Sequence, residues 1–478
     1  SVMADDAAGL AAQKDANGGV HGRLIAWHRA FREFLSIPLL VIAAFLLLAG
    51  VTYLLDVGRV GWLQPLREVM RTRIFGNAQA TGQLLGTIAA GIITVTSITF
   101  SLLLLAVQQS GVSLTALVFD QFLRRRSNQV YFGFFVGLAL YALCTLATVN
   151  TPFNPVYGGT VALLLTGVAL CLLVLLLYST IDQMRPAQII KAIHDHTLLG
   201  RERQRVLLSR TRRTPHLAGP ICRPVHATGY GYVTSISLRQ LEIATGQAAQ
   251  AVEVVLDVSV GAFVAFQDAM AHVTAMTTTD AAAIATAVQR AIQLEPVRDL
   301  DGDPAYGVQQ LTVIAWTSVS TAKQNPEVGL LVVHSLRDLL ARWSVTDAQV
   351  EDAAAVLPVV YADDLPGRVL DAFAALSVAA SESLQYQVYA EVLRALASLY
   401  DRLPIEQQQR AEDLILRSLS ALGEHVLTRD LDDALATLCS ALTKWGNQET
   451  TDAVRSAWHQ LSKSVGRLNS RATRVPER

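Results

Sequence analysis

Residues 74–119 form a stretch without a charged side chain, and this stretch restricts the fold more than any other feature. Its 46 residues are far more than the roughly 20 that a helix needs to cross a bilayer. Threonine, serine and glycine interrupt the leucine and isoleucine along it, which is unusual for a simple anchor. We therefore predict a crossing helix, at about residues 81–108, that carries one polar face.

The composition predicts a membrane part joined to a soluble part. Hydrophobic residues make up 51% of the 478 residues, and the mean hydropathy is +0.35, which is high for a soluble protein. The second half of the chain is nevertheless too charged for a protein made only of membrane helices. The formal net charge is -1, so the charge balance predicts no nucleic-acid partner.

Three further uncharged apolar segments predict three more crossings. The predicted fold class is therefore membrane α-helical, with four transmembrane helices at about residues 34–55, 81–108, 131–149 and 161–178 of a domain covering 34–180. A tail at 1–33 precedes them, and residues 113–126 have the pattern of an amphipathic interfacial segment. The four predicted spans contain no Asp, Glu, Lys or Arg, which argues against proton pumps and ion-coupled transporters.

Basic residues near the apolar segments predict the orientation of the chain. Arginines precede the first span, and residues 182–213, after the fourth, hold eight basic residues against three acids. Because such residues concentrate on the cytoplasmic side, we predict that both termini are cytoplasmic. Anionic lipids are candidate partners beside the bilayer itself. The arginines predicted to bind their head groups are Arg124, Arg125, Arg126, Arg201, Arg203 and Arg205.

The rest of the chain predicts a cytoplasmic α+β domain. After a basic linker at 181–220, strand-like alternation at 230–238 and 252–258 predicts a small β-rich module over residues 221–278. From Thr279 onward apolar residues recur at helical spacing. This change of period predicts a mainly α-helical bundle over residues 279–468, followed by a tail at 469–478.

Small and polar residues line one face of the second span. On a helical projection the aligned residues are Thr87, Gly91, Thr94, Ser97, Ser101 and Gln108. Three interpretations stay open: packing against another helix of the same chain, packing between subunits around a symmetry axis, and a water-filled pathway. Since four spans form only a small bundle, a pathway would arise most naturally between the copies of a homo-oligomer.

Glycines at four-residue spacing predict close approach between helices. Gly82 and Gly86 extend the polar face of the second span, and Gly133 and Gly137 form a second pair in the third span. Small residues at this spacing let the backbones of membrane helices come close together.

Enzyme signatures are missing from the sequence, and we predict no enzymatic activity. It has no phosphate-binding loop, no His-Glu-x-x-His and no Gly-x-Ser-x-Gly motif. The four cysteines are widely separated, which favours neither disulfides nor a metal site. We interpret the His-Asp-His segment at His194 as exposed linker, and Asp299, Asp301 and Asp303 as a solvated turn before a helix. No catalytic residue, metal or cofactor is therefore expected.

Four segments show a family resemblance. They are IITVTSITFSLLLLAVQQSGVSLTALVFDQFLRRRSNQ at 92–129, TGYGYVTSI at 228–236, VGAFV at 260–264 and DPAYGVQQL at 303–311. With them the chain resembles a bacterial family of predicted membrane proteins, the domain of unknown function 2254 family. The resemblance implies the same membrane architecture but no reaction. One departure is STAKQNPEVG at 320–329, which replaces the family's Ser-Pro and Asn-Asp-Pro cluster.

Two functional hypotheses follow from these features. The first is a multi-pass protein of the inner membrane, a homo-oligomer that is channel-like or related to transport and has a cytoplasmic regulatory domain. The alternative is a non-transporting membrane scaffold or sensor whose cytoplasmic domain binds a protein or a small ligand. The sequence identifies neither an ion nor a ligand.

Overall fold

The computed structural model describes residues 35–58, 68–113, 126–150, 153–183, 185–298, 300, 302–320, 325–348, 356–422 and 425–463. The chain divides into two compact units, Ser1–Arg185 and Pro186–Arg478, which we call the membrane unit and the C-terminal unit. Each unit has its own hydrophobic core.

The described part of the membrane unit contains four long apolar helices. They are α1 (Ser36–Gly58), α2 (Ala78–Ser113), α3 (Arg126–Ala147) and α4 (Val156–Gln183). Each includes a segment long and apolar enough to cross a membrane, so the prediction of four candidate spans is confirmed. The predicted amphipathic segment at 113–126 lies outside the described residues, except for Ser113 at the end of α2 and Arg126 at the start of α3.

The third helix is the centre of the membrane unit. α3 contacts all three other helices, and 44% of its span is buried, against 11% for α1 and 17% for α4. Leu138 and Tyr141 of α3 are fully buried, and Leu85 of α2 and Leu176 of α4 complete the same core. α1 and α4 therefore present mostly apolar outer faces.

The C-terminal unit begins with a helix where we predicted a basic linker. α5 (Pro186–Arg210) buries one stripe that includes Ile189, Ile193 and Leu207, while most of its charged residues lie outside. The linker prediction was wrong because it rested on the density of arginines, whereas the amphipathic spacing of the apolar residues favours a helix. Arginine is a good helix former, so basic residues on an exposed face do not oppose a helix.

Two small sheets follow α5. Their strands are β1 (Ile221–His226), β2 (Gly231–Ile236), β3 (Val252–Leu256), β4 (Phe263–Val264), β5 (Ala269–Ala275), β6 (Ile292–Glu295) and β7 (Val359–Tyr361). One sheet has the order β1-β5-β3-β7, with β7 parallel to β3 and the other pairs antiparallel, and the second is antiparallel with the order β4-β2-β6. Two helices complete this module, α6 (Leu238–Gly246) and α7 (Thr278–Ala291), and α7 packs against β1 and β5.

The β-rich module extends beyond the predicted range of 221–278. Strands β6 and β7 come from residues that we assigned to the helical bundle. With four and three residues, they are too short to show an alternating pattern, and their partners lie far away in the sequence.

Seven further helices form the rest of the described C-terminal unit. They are α8 (Pro304–Val319), α9 (Pro326–Ala348), α10 (Leu365–Glu382), α11 (Tyr386–Leu399), α12 (Ile405–Leu422), α13 (Arg429–Lys444) and α14 (Gln448–Lys463). They stack in two rows, α8-α10-α12-α14 and α9-α11-α13, as helix pairs do in an α-solenoid. The predicted fold class, four membrane helices followed by small sheets and a mainly helical region, is thus confirmed.

Candidate functional site

The predicted polar face of α2 lies on the outside of the membrane unit. Thr87, Gly91, Thr94, Ser97 and Ser101 are all exposed. The opposite face of α2 buries Leu85, Ile88 and Ile92 in the core beside α3. Packing against another helix of the same chain, one of our three interpretations, therefore does not describe these five residues. The side chain of Gln108 is outside the described part.

The hydroxyl groups of this face donate to their own helix. Thr87 Oγ1 donates to the carbonyl oxygen of Gln83 at 2.8 Å, and Thr94 Oγ1 donates to that of Ala90 at 2.8 Å. Ser101 Oγ donates to the Ser97 carbonyl oxygen at 2.9 Å. Because these three hydroxyl hydrogens are satisfied within α2, this part of the face can lie in an apolar environment at little cost. Each oxygen keeps an outward lone pair, so it can still accept from water or contact a cation.

The glycine pairs differ in what they contact. A Cβ on Gly133 would lie 2.9 Å from Pro38 Cα, and one on Gly137 would lie 2.5 Å from Phe45 Cδ2. These two glycines therefore allow α3 to approach α1 closely. A Cβ on Gly82 would meet Val149 Cγ1 at an ordinary 3.5 Å, whereas one on Gly86 would meet no atom within 4 Å.

One buried carboxylate lies in α1, just beyond the predicted end of the first span. α1 continues three residues past the predicted end and includes Asp56, which is only 2% exposed. Its Oδ1 accepts the backbone N–H of Tyr157 at 3.1 Å, and its Oδ2 accepts that of Gly158 at 3.1 Å. Asp56 therefore caps the first turn of α4, where free N–H groups and the helix dipole favour a negative charge.

Two further side chains surround this cap. The hydroxyl oxygen of Tyr141 lies 3.1 Å from the carbonyl oxygen of Gly158 and 3.2 Å from Thr52 Oγ1. Thr52 itself donates to backbone carbonyls of its own helix. We call Asp56, Thr52, Tyr141 and Gly158 the Asp56 cluster. It joins α1, α3 and α4 through polar contacts, and sequence reasoning missed it because Asp56 follows the apolar run directly.

The arginines predicted to bind lipid head groups are not equivalent. Arg201 is buried, with its Nη1 2.5 Å from Asp363 Oδ2 and its guanidinium 5.8 Å from the centroid of the Trp343 ring. It is therefore unavailable to lipid, and its prediction was wrong because it lies on the buried face of α5. Arg205 is exposed and forms a 3.2 Å ion pair with Glu202.

The structure describes two of the four other arginines that were predicted to bind lipid head groups. Arg126 and Arg203 are exposed. Arg124 and Arg125 lie outside the described residues.

The His-Asp-His segment is not an exposed linker. His194 lies on α5 with a side chain that is 14% exposed. Its Nε2 is 3.0 Å from Asp338 Oδ2 on α9, and its Nδ1 is 3.2 Å from Asp195 Oδ1. Asp338 also accepts from Arg342 Nε at 2.7 Å. Burial alone would raise the pKa of Asp338, but the hydrogen bonds and electrostatic attraction of Arg342 and His194 outweigh it, and the pKa is lowered.

A second polar cluster forms around Arg298 in the C-terminal unit. Arg298 Nε donates to Asp303 Oδ2 at 2.7 Å, and Nη1 donates to Gln309 Oε1 at 2.6 Å. The guanidinium lies 5.7 Å from the ring centroid of Tyr232 and 4.9 Å from that of Tyr306, within the range of cation–π attraction. We call these five residues the Arg298 cluster.

Asp303 has a second role in this cluster. Its Oδ1 accepts the backbone N–H of Tyr306 at 3.0 Å, so it caps the N-terminus of α8. The turn before a helix was predicted correctly, but Asp303 is buried rather than solvated. Asp299 and Asp301 lie outside the described residues. Gly261 adopts φ +86°, and a Cβ there would lie 2.4 Å from Asp303 Oδ2, so only glycine leaves room for the carboxylate.

The Arg298 cluster collects three segments that carry the family resemblance. Tyr232 belongs to residues 228–236, Gly261 to 260–264, and Asp303, Tyr306 and Gln309 to 303–311. Distant parts of the sequence therefore converge on one arginine. Sequence reasoning missed Arg298 because it lies outside the four segments that resemble the family and belongs to no motif. The shared family resemblance of the three segments was the one sign that they meet in the fold.

Tyr361 contacts the turn that holds Gly261, next to the Arg298 cluster. Its hydroxyl oxygen accepts the backbone N–H of Val260 at 3.1 Å, and burial, followed by the charge of Asp363, raises the pKa of Tyr361 far above its usual value. The hydroxyl is therefore neutral at any physiological pH. Among the described residues no group of three or more His, Cys, Asp or Glu side chains is arranged to hold a metal ion.

Comparison with known proteins gives one match. A family described as predicted membrane protein (DUF2254) matches residues 32–398. The chain belongs to this family. The matched range includes the four candidate spans, the Asp56 cluster and the Arg298 cluster, and it ends within α11, before α12–α14. No curated protein and no solved structure matches the chain.

Proposed function

We propose that this membrane protein is a channel-like homo-oligomer of the inner membrane, in which the polar faces of α2 from several copies surround a central pathway. The C-terminal units act as regulatory domains. The proposal is carried by one observation, the exposed face of Thr87, Gly91, Thr94, Ser97 and Ser101 on a helix whose other face is packed.

The other outer faces of the membrane unit differ from this one. On α1 the most exposed large side chains are Leu40 at 71%, Leu47 at 72% and Leu54 at 67%. On α4, Leu164 and Val174 are similarly exposed. Such leucine and valine side chains suit lipid tails, since they carry no polar atom. Among the described parts of α1 to α4, hydroxyl groups follow one another on an exposed face only along α2.

The chemistry of the face favours a particular kind of pathway. The hydroxyl hydrogens donate to carbonyls of α2, so the oxygens present lone pairs outward. A wall of oxygen acceptors without basic side chains suits water and cations better than anions. One chain supplies one such wall, and a closed pathway requires the same wall from symmetry-related copies.

The orientation and the lipid contacts are part of the same proposal. We propose that both termini are cytoplasmic, in keeping with the arginines before α1 and along α5. Of the arginines first considered, Arg126, Arg203 and Arg205 are exposed and remain candidates for contact with anionic head groups.

Conductance of the reconstituted full-length protein tests this function. Purified oligomer in planar bilayers should pass cations, and Thr94→Leu or Ser97→Leu should alter the current. Thr166→Leu on α4 is the matched control, because Thr166 Oγ1 donates to its own helix at 2.7 Å in the same way but lies off the α2 face. Folded oligomer that never conducts would contradict the proposal.

A non-transporting sensor is the second candidate, and one cavity favours it. A cavity of about 370 Å³ opens in the C-terminal unit beside Arg212, His216, Thr245 and Gln250. Its floor includes Glu253, whose buried carboxylate accepts the backbone N–H groups of His216 and Leu217 at 3.0 Å. Monomeric protein in mild detergent, without conductance but with saturable binding of a small polar ligand that Gln250→Ala weakens, would favour this alternative.

A further inference from the structure

Three exposed apolar side chains occupy one end of the small sheet β4-β2-β6. Tyr230 is 71% exposed, Phe266 is 66% exposed and Val297 is 70% exposed. Tyr230 immediately precedes β2, Phe266 follows β4, and Val297 follows β6. Because β2 is antiparallel to both neighbours, these three positions meet at the same end of the sheet. We call the three residues the apolar loop tips.

The loops that carry these tips are held in place. Gly231 lies directly against Glu295, since a Cβ on it would be 2.7 Å from the Glu295 carbonyl oxygen. Gln267 N donates to the Ala227 carbonyl oxygen at 3.0 Å, and Asp268 N donates to that of Ala265 at 3.1 Å. The exposure of the tips is therefore built into folded turns rather than produced by a loose segment.

Two of the charged side chains in these loops are engaged with the protein, and a third, Glu295 at the end of β6, is exposed. Asp268 Oδ2 accepts the backbone N–H of Ala265 at 2.8 Å, and Arg298 Nε donates to Asp303 within the Arg298 cluster. Large apolar side chains nevertheless project from all three turns, beside the exposed polar residues Gln267 and Glu295. Aromatic side chains flanked by few charges are enriched where proteins meet the interface between lipid and water.

The geometry points to a lipid surface as the partner of the apolar loop tips. The membrane helices tether the C-terminal unit to a bilayer, because only two residues separate the end of α4 at Gln183 from the start of α5 at Pro186. This tether keeps the C-terminal unit at high effective concentration near the membrane, so three shallow insertions suffice. Three loop tips offer far less surface area than the roughly 800 Å² that each partner buries in a stable protein–protein interface. This small area disfavours a second copy as the occupant.

Fluorescence quenching by labelled lipid tests the contact in the full-length protein. The four cysteines are replaced by alanine, and Phe266→Cys carries an environment-sensitive fluorophore in phosphatidylcholine vesicles that contain doxyl-labelled phosphatidylcholine. The control is Ile243→Cys, which is 50% exposed on α6, the helix that follows the other end of β2. Interfacial apolar groups lie roughly 5–10 Å into the head-group region, so we expect about twofold or greater quenching at 266 and none at 243.

Two results would overturn the inference. Equal quenching at 266 and 243 would show that the tips do not enter lipid. Protection at 266 that rises with protein density in the membrane would assign the tips to a second copy instead. Tyr230→Cys and Val297→Cys repeat the measurement on the other two loops, and circular dichroism confirms that each variant folds. The result does not depend on conductance, so it stands or falls separately from the proposed channel.

Discussion

The polar face of α2 and the Asp56 cluster are both polar parts of the membrane unit, yet their side chains bond in opposite ways. The hydroxyls of Thr87, Thr94 and Ser101 on the α2 face each donate to a carbonyl one turn back on the same helix, and these side chains face outward. Asp56 instead reaches from the end of α1 to the first turn of α4 and is buried. The first arrangement leaves a surface available to other copies, water or lipid, whereas the second fixes helices to one another.

The Arg298 cluster follows the second pattern in the C-terminal unit. Buried polar groups that join separate segments cannot be replaced one at a time, because each removal leaves a partner unsatisfied. Exposed groups that bond within one helix can be replaced with little effect on stability. The following substitutions test that distinction.

The largest loss of stability is expected for Asp303→Ala. This change leaves the buried guanidinium of Arg298 without its carboxylate and removes the cap of α8, so the unfolding free energy should fall by about 3–5 kcal/mol. Urea unfolding of the C-terminal unit within the full-length chain, followed by tryptophan fluorescence, measures the change.

Asp413→Ala is the control for this prediction. Its 2.8 Å ion pair with Arg417 is exposed, and such pairs contribute about 0–1 kcal/mol. Equal losses for the two variants would show that the Arg298 cluster is not a stabilising centre.

Asp56→Ala should have the next largest effect. It leaves the N–H groups of Tyr157 and Gly158 unsatisfied at the buried start of α4, at a cost of about 2–4 kcal/mol. Thermal unfolding in mild detergent measures it, and Asp56→Asn, which retains one acceptor oxygen, should lose less. An unchanged transition for Asp56→Ala would remove the basis for treating this cluster as a link between helices.

Gly137→Ala and Gly86→Ala separate the two glycine pairs. The new methyl group at 137 would collide with the ring of Phe45 and cost about 1–3 kcal/mol. At 86 the methyl group meets no atom within 4 Å, so the substitution should be neutral or stabilise the helix by up to about 1 kcal/mol. The same detergent unfolding assay compares them, and a larger loss at Gly86 would contradict the observed packing.

Thr94→Leu should have the smallest effect on stability. The side chain is exposed and gives up only a bond to its own helix, so the unfolding free energy of the monomer should change by less than about 0.5 kcal/mol. Cross-linking measures whether the number of copies in the assembly changes. A loss comparable to that of Asp56→Ala would show that Thr94 supports the fold of the single chain.

The sequence was sufficient for the features that depend on local pattern. The spans of α1 to α4 were predictable because about twenty uncharged residues in a row can satisfy their backbone in a bilayer only as a helix. The helices from α7 to α14 were visible in the spacing of their apolar residues. The polar face of α2 was also visible, although its exposure was not.

The features that remained hidden depend on contacts between distant residues. β7 pairs with β3 over a separation of about one hundred residues, and only three residues take part. Asp56 follows an apolar run that is already long enough to cross a bilayer without it. Arg201 appears equivalent to Arg203 and Arg205, because only tertiary structure decides that it faces Asp363.

The cap that Asp56 places on α4 also bears on the order in which the membrane unit is made. Asp56 leaves the ribosome about one hundred residues before Tyr157 and Gly158, so the two hydrogen bonds that join α1 to α4 form only after the fourth crossing begins. Chains that end before α4 would lack two backbone donors for an acid at the end of an apolar helix, and a less stable membrane unit is more open to quality-control proteases. The link between the first and the last crossing is therefore the last part of the membrane unit to form.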